Sequence, residues 1–200
     1  MTWLVLGSVI GGIIFGYSII PDEIIKQMDT IITCALAFLL FLIGIDLGRN
    51  KSVIIKIKSL GVKILFIPIS IALGSILGAS FAGIILGMPF NESSAVGAGF
   101  GWYSLSSVIL TQMYNAEIGT LAFLTNVFRE LFAFMAIPLI AKHIGKCEAI
   151  APGGATTMDT TLPLIAKTVG GEAAVMAFIN GAVLSMLVPV LVPLLIKLPF

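Results

Sequence analysis

Long apolar runs are the feature of this sequence that most restricts its fold. A helix needs about twenty mostly apolar residues to cross the hydrocarbon core of a membrane. Five runs of this kind are present, at 2–20, 30–47, 64–86, 119–141 and 173–196. Only 10% of the residues are charged and 58% are hydrophobic, whereas soluble domains carry about 25% charged residues. The sequence therefore predicts an all-α integral membrane protein, with residues 1–200 forming a single transmembrane domain in the lipid bilayer.

The fourth run carries two charges and an amide in its middle. Its segment FLTNVFRELFAFM contains Asn126, Arg129 and Glu130. A charge at the centre of a spanning helix costs about 2.5–3.5 kcal/mol on insertion scales, so such residues usually face the protein interior. Glu130 shares a helix face with Asn126, while Arg129 points toward a different neighbour. These side chains form either a structural ion pair or clamp, or a substrate or proton site.

Two other segments are poor candidates for lipid-facing helices. Residues 93–115 interleave glycines with aromatic and serine residues, and residues 153–171 place four threonines around Asp159. Irregular backbone at membrane depth is tolerated only where protein buries it or water reaches it. We therefore expect both segments to be interrupted elements, although Asp159 before TTLP also fits a helix N-cap.

The distribution of basic residues predicts the topology. Short basic loops stay in the cytoplasm, and residues 49–63 contain five Lys or Arg and no acid. If both interrupted segments cross the membrane, five basic loop residues lie inside and four outside; if both enter and leave on one face, the numbers become seven and two. We therefore predict five spanning helices and two re-entrant hairpins, the first entering from outside and the second from the cytoplasm. The N-terminus would be cytoplasmic and the C-terminus outside.

This arrangement predicts a transporter. Hairpins that enter from opposite faces form the inverted repeats of many secondary transporters, whose sites lie near the membrane midplane. Backbone amides and the positive ends of half-helices can hold a carboxylate, and hydroxyl and carbonyl oxygens can hold an ammonium group or a cation. With Glu130 and Arg129 as countercharges, the site would suit a zwitterionic or cationic small molecule.

Other classes of function have less support in the sequence. There is no cluster of His, Asp and Glu with metal-ligand spacing and no nucleophile beside a histidine base, so we expect no enzyme, metal or cofactor. Cys34 and Cys147 do not suggest a disulfide framework. The net charge of +1 gives no reason to expect nucleic acid as a partner.

Three motifs carry a resemblance to a known family. At GFGWYSLSS (99–107), NVFRE (126–130) and GGATTMDTTLP (153–163), the sequence resembles the bacterial lysine exporter family LysO. The resemblance implies an inner-membrane exporter of L-lysine and its toxic analogue thialysine, driven by an ion gradient. The matching positions of interest are Gly99, Gly101, Trp102, Tyr103, Ser104, Asn126, Arg129, Glu130, Thr156, Asp159 and Thr160.

Full-length members of that family look longer, with an additional hydrophobic N-terminal region. A separate small membrane protein would then supply that region, or the short form would work alone or as a homo-oligomer.

The resulting hypothesis is secondary export of lysine. Glu130 would bind the substrate ammonium group or a proton, Arg129 and the hairpin amides would orient the carboxylate, and Asp159 would contribute at the cytoplasmic hairpin. Asp46, at the end of the second run, is either a boundary carboxylate near Arg49 or a second proton carrier. The alternatives are a cation/proton antiporter, an exporter of another small amine or acid, and a non-autonomous subunit of a split exporter.

Overall fold

The computed structural model describes residues 62–199 continuously, together with the helical positions 11, 12, 14–16, 31, 34, 38 and 41. The chain divides into two compact units, Met1–Ile45 and Asp46–Phe200. Most of the first two predicted spans and the candidate Asp46 therefore lie outside the described residues. The positions that are described within those two spans are all helical.

Every regular element between residues 62 and 199 is a helix. In chain order they are a 3-10 turn Val62–Leu65, α1 Phe66–Leu86, α2 Phe90–Gly97, α3 Tyr103–Met113, α4 Ala116–His143, a 3-10 segment Glu148–Met158, α5 Leu162–Val169 and α6 Gly171–Ile196. Helices α1, α4 and α6 are long and apolar enough to cross a membrane. They match the apolar runs at 64–86, 119–141 and 173–196, so the prediction of an all-α membrane protein is confirmed. The total of five spans and the re-entrant character of the hairpins stay predictions.

Two helical elements are interrupted in the middle. We call α2, the turn after it and α3 the first broken element, and the 3-10 segment with α5 the second broken element. The first break contains Phe100 and Gly101, with φ of 49° and 99°. The second break contains Gly154, with φ of 58° and ψ of −126°. The second broken element begins at Glu148, before the predicted start at residue 153, because EAIAP already forms 3-10 turns.

Local sequence explains where the long helices begin and end. The Asn115 side chain caps α4 by accepting a hydrogen bond from the Ile118 amide at 2.8 Å. Lys142 lies in the last turn of α4, where its positive charge complements the helix dipole. Helix α1 ends at Gly87, whose φ of 73° reverses the chain toward α2.

Both ends of the first broken element lie at one end of the molecule. The Tyr114 hydroxyl, just after α3, donates to Glu92 Oε1 in the first turn of α2 at 2.7 Å. Asn91 Nδ2 donates to the carbonyl of Ile196, the last residue of α6, at 3.3 Å. The first broken element therefore enters and leaves beside the start of α4 and the end of α6.

Both ends of the second broken element lie at the opposite end. A buried apolar cluster joins residues from late α4, from the two ends of the broken element and from early α6: Ala133, Ile137, Ala149, Ile150, Ile165, Val169, Ala173 and Ala177. Because late α4 lies with early α6 here, and early α4 lies with late α6 at the other end, these two helices run antiparallel with the broken elements between them.

The two breaks meet between α4 and α6, and we call this meeting point the crossing. The Ala155 amide donates to the Phe100 carbonyl at 2.8 Å, which joins the two broken elements. A side chain at Gly154 would overlap this carbonyl oxygen. With its positive φ, position 154 requires glycine on both steric and conformational grounds.

The two broken elements and their following helices form an internal repeat. Phe100 and Gly154 are the first residues with positive φ in each break. The sequence interval between them equals the interval from Asn126 in α4 to Asn180 in α6, and each asparagine hydrogen-bonds its own break. The charged residues are not repeated: Val183 and Leu184 occupy the positions in α6 that are equivalent to Arg129 and Glu130.

Candidate functional site

Asn126 connects α4 to the first break. Its Oδ1 accepts a hydrogen bond from the Gly101 amide at 2.7 Å, and its Nδ2 donates to the carbonyls of Ala122 and Val96 at 2.8 and 3.4 Å. A Cβ at Gly99 would lie 2.5 Å from this Nδ2. Asn126 is only 2% exposed. Its amide therefore replaces backbone partners that the break leaves unsatisfied.

Arg129 lies between the carboxyl ends of two half-helices. Its Nε donates to the Pro152 carbonyl at 3.1 Å and its Nη2 to the Ala151 carbonyl at 3.4 Å. Its Nη1 donates to Ser75 Oγ at 2.7 Å, and Ser75 Oγ donates to the Gly97 carbonyl at 2.8 Å. The carboxyl end of a helix carries partial negative charge, so the guanidinium stabilises both breaks electrostatically.

The guanidinium keeps some donor capacity beyond these bonds. Three of the five N–H groups of an arginine are used here. One N–H on Nη1 and one on Nη2 have no acceptor among the described residues. Arg129 thus links α4 to α1 and to the second broken element, and two of its N–H groups could donate to a carboxylate.

Glu130 follows Arg129 at the centre of α4 and is 2% exposed. The hydrogen bonds of Arg129 run to carbonyl and hydroxyl oxygens and not to Glu130. A carboxylate buried at this depth requires compensation by cationic or hydrogen-bonding groups. Binding of an ammonium group and exchange of a proton are the roles that the sequence suggested for Glu130.

Three predicted residues lie at the amino end of α3. The Trp102 amide donates to the Gly99 carbonyl at 2.7 Å, and Trp102 is the residue that precedes α3. The Tyr103 ring packs edge-to-face on Phe123 with centroids 5.6 Å apart. Ser104 is half-buried in the first turn. The first-turn amides of a helix have no carbonyl partner within it, so this end favours negative charge.

Thr156 also lies where the breaks cross. A Cβ at Gly101 would be 3.5 Å from Thr156 Cγ2 and 3.9 Å from Arg129 Cδ. Thr156 Oγ1 donates to the Gly153 carbonyl at 2.8 Å and lies 3.2 Å from Thr161 Oγ1. Gly99, Gly101, Asn126, Arg129 and Thr156 are thus brought together.

Asp159 and Thr160 are not part of this group. Asp159 follows the 3-10 segment with an exposed side chain, and its Oδ1 accepts a hydrogen bond from the Thr160 amide. Partial desolvation raises the pKa of the Asp159 carboxyl, and the bond from Thr160 opposes this shift. No described hydrogen bond joins Asp159 to Arg129.

Three residues of the crossing escaped the sequence analysis. Ser75 is one of three serines in α1, and no local pattern distinguishes it from Ser70 and Ser80. Asn180 and Thr157 hold the second break, with Asn180 Nδ2 donating to the Gly154 carbonyl and to Thr157 Oγ1, both at 3.0 Å. The sequence feature that could have identified Asn180 is its spacing from Asn126, which equals the spacing between Phe100 and Gly154 in the two breaks.

The crossing combines a guanidinium, helix amides and several neutral oxygens. The buried Glu130 carboxylate follows Arg129 in α4. Among the described residues no group of three or more His, Cys, Asp or Glu side chains could hold a metal ion. Cys34 and Cys147 are free thiols.

Comparison with known proteins finds one matching family and two similar proteins. The family model described as lysine exporter LysO matches residues 6–196. The lysine exporter LysO of Escherichia coli K12 is 38% identical over 157 residues, which cover 78% of this chain and 52% of that protein. A putative lysine exporter of Haemophilus influenzae is 37% identical over 153 residues, which cover 76% of this chain and 77% of that protein. No solved structure matches the chain.

The matched region thus spans about half the length of the Escherichia coli relative. The family match itself extends over nearly the whole sequence, including both broken elements and the charged centre of α4. The chain therefore belongs to the lysine exporter LysO family.

Proposed function

We propose that this chain is a secondary transporter that exports L-lysine, and analogues such as thialysine, across the bacterial inner membrane. The substrate follows from the names of the relatives. The observation that carries the proposal is the buried Glu130 carboxylate, which adjoins in α4 the arginine that bonds to the second broken element directly and to the first through Ser75. A buried carboxylate at such a position suits a cationic substrate or a coupling proton.

Different residues of the proposed site bind the ammonium group and the carboxylate of the substrate. Glu130 binds the substrate ammonium group or exchanges a proton with it. The spare N–H groups of Arg129 and the first-turn amides of α3, at Tyr103 and Ser104, orient the carboxylate. Trp102 lies at the same helix end.

The other residues have supporting roles. Asn126, Thr156, Gly99 and Gly101 keep the breaks in position. Asp159 and Thr160, between the 3-10 segment and α5, contribute at the second broken element, which enters from the cytoplasm in the proposed topology. Asp46 is a second candidate proton carrier.

The geometry also supports a topology. Each broken element has its two ends at one end of the α4–α6 pair, and the two elements use opposite ends. Two re-entrant hairpins that enter from opposite faces would have this arrangement. With the basic loops inside, the N-terminus is cytoplasmic and the C-terminus outside. The inverted pair would allow access to the site from each face in turn, coupled to a proton or cation gradient.

Lysine efflux from loaded proteoliposomes tests this proposal. We expect Glu130→Gln to abolish gradient-driven efflux, because it removes the buried negative charge but preserves the side-chain shape. Glu117→Gln is the matched control, since Glu117 is exposed in the first turn of the same helix and should be dispensable. Undiminished efflux by Glu130→Gln would contradict the proposed role of Glu130.

A second candidate role is that of one subunit in a split exporter or homo-oligomer. The observation that favours it is the coverage of only 52% of the Escherichia coli relative. In that case the purified chain would insert stably but move lysine only when a second small membrane protein is co-reconstituted. Efflux by the purified chain alone would exclude the need for a second protein.

A further inference from the structure

The Ser75 hydroxyl on α1 joins Arg129 to the first broken element. Its Oγ donates to the Gly97 carbonyl at 2.8 Å and accepts a hydrogen bond from Arg129 Nη1 at 2.7 Å. A serine hydroxyl has a single proton, so the bond to Gly97 leaves only its lone pairs for the guanidinium. The short distance to Nη1 is typical of a charge-assisted hydrogen bond. Ser75 therefore acts as a fixed acceptor for one terminal nitrogen of Arg129.

Tight packing of α1 against α2 holds this hydroxyl in place. A Cβ at Gly97 would lie 2.5 Å from Ala79 Cβ and 2.9 Å from the Ser75 carbonyl oxygen. A Cβ at Gly83 would overlap the Ser93 side chain of α2. The two helices thus approach closely at two levels, which leaves α1 little room to shift along α2. Close packing of this kind keeps the Ser75 hydroxyl at a constant distance from Gly97.

The other bonds of the guanidinium go to the second broken element. Nε donates to the Pro152 carbonyl and Nη2 to the Ala151 carbonyl, and these neighbouring carbonyls belong to one 3-10 segment. In the part of the chain that the structure describes, one N–H on each terminal nitrogen has no acceptor. Arginine binds a carboxylate through two parallel N–H groups of a rigid fork, so the direction of these two donors decides how well a carboxylate fits. Arg129 is half-buried, which leaves part of its side chain accessible.

Loss of the Ser75 hydroxyl would release one side of this fork. Arg129 would stay bonded to the second broken element through Nε and Nη2, but Nη1 would lose its acceptor and the Gly97 carbonyl its side-chain donor. The two spare N–H groups would then have no fixed direction. A donor that must be ordered when the ligand binds gives a lower affinity than one that is already in position.

We propose that Ser75 is a positioning residue for the substrate carboxylate, and that the site selects molecules with a free carboxylate. The inference rests on the proposed export function, for which it defines the substrate class. Ser75 acts through Arg129: it holds Nη1 so that one N–H of each terminal nitrogen is available to the carboxylate. The carboxylate site is then assembled from α1, α4 and both broken elements.

Efflux of lysine and of lysinamide from loaded proteoliposomes tests this role. Lysinamide keeps both amino groups of lysine but has no carboxylate. We expect the wild-type KM for lysinamide to be at least about tenfold higher than that for lysine, because a charge-assisted pair is lost. Ser75→Ala should raise the KM for lysine by about 3–10-fold, as for the loss of one hydrogen bond, and leave the KM for lysinamide and both kcat values unchanged.

Two further variants separate positioning from support of the fold. Ser75→Thr keeps the hydroxyl and should retain the wild-type KM values. Ser80→Ala is the matched control, since Ser80 is a buried serine of the same helix whose Oγ donates to the Ile76 carbonyl of that helix. If Ser75→Ala raises both KM values equally, or lowers Tm without changing the KM for lysine, Ser75 only supports the fold and the inference is overturned.

The wild type separates this inference from the proposed function. Export of lysine and lysinamide with equal KM values refutes the carboxylate site and leaves the proposed function intact. If the wild type exports neither compound, the proposed function fails, and the rise in Tm that each compound produces in detergent tests the site alone. A larger rise with lysine than with lysinamide, lost in Ser75→Ala, keeps the inference; equal or absent rises overturn it.

Discussion

Replacing Gly154 with alanine tests whether the crossing of the two breaks holds the protein together. The alanine Cβ would overlap the Phe100 carbonyl oxygen and lie 2.9 Å from Arg129 Nη2. Both neighbours are held in place, the carbonyl by the Ala155 amide and the guanidinium by α1 and the second broken element. The chain can therefore accept the methyl group only by separating the breaks.

The cost follows from two contributions. A non-glycine residue at φ of 58° and ψ of −126° is strained by about 1–3 kcal/mol. Loss of the Ala155–Phe100 hydrogen bond costs about 0.5–1.5 kcal/mol more. A total of about 1.5–4.5 kcal/mol corresponds to a fall in Tm of roughly 3–18 °C for a protein of this size. We expect lysine efflux to be lost as well.

Alanine substitutions at two other glycines distinguish the cost of backbone strain from the cost of losing the crossing. Gly170 has φ of 108° but open space around its Cβ position, and Gly171 has open space without a positive φ. The fall in Tm, measured in detergent, should be largest for Gly154→Ala, smaller for Gly170→Ala and negligible for Gly171→Ala. A fall for Gly154→Ala no greater than that for Gly170→Ala would refute the role of the crossing.

Two further predictions concern the charges. Arg129→Lys keeps the positive charge but cannot reach both half-helix ends, so we expect a loss of about 1–3 kcal/mol in unfolding free energy, measured by thermal unfolding; a wild-type Tm would show that a point charge suffices. The hydrogen bond and charge of Glu92 raise the pKa of Tyr114 above its usual 10.0, so Glu92→Gln should lower that pKa, measured by phenolate absorbance. Because the folded pKa is raised, the stabilisation by this bond is present below pH 10 and is lost as the pH rises through the folded value. An unchanged Tyr114 titration in Glu92→Gln would contradict the contact.

The helices themselves could be predicted from local sequence. Burial in lipid requires continuous apolar runs, so the three long helices of the described region start and end close to the limits of those runs. The GAGFG run and the threonines near residue 159 also indicated interrupted backbone. Asn126 and Arg129 stood out because polar groups within a spanning helix need partners.

The partners could not be predicted, because they come from distant parts of the chain. Arg129 reaches back to Ser75 in α1 and forward to carbonyls of the second broken element. Asp159 was predicted as a site residue together with Asn126 and Arg129, yet its side chain lies outside the crossing. Which polar residues meet depends on how the broken elements fold back between α4 and α6.

The sequence by itself therefore determined the membrane class, the long helices and the existence of two breaks, since each follows from composition over one turn or one span. Only the tertiary structure decided that the breaks meet through Ala155 and Phe100, and that Arg129 bonds to Ser75 in α1. The physical reason is that a hydrogen bond between segments far apart in the chain depends on the packing of whole helices, which local propensity does not encode.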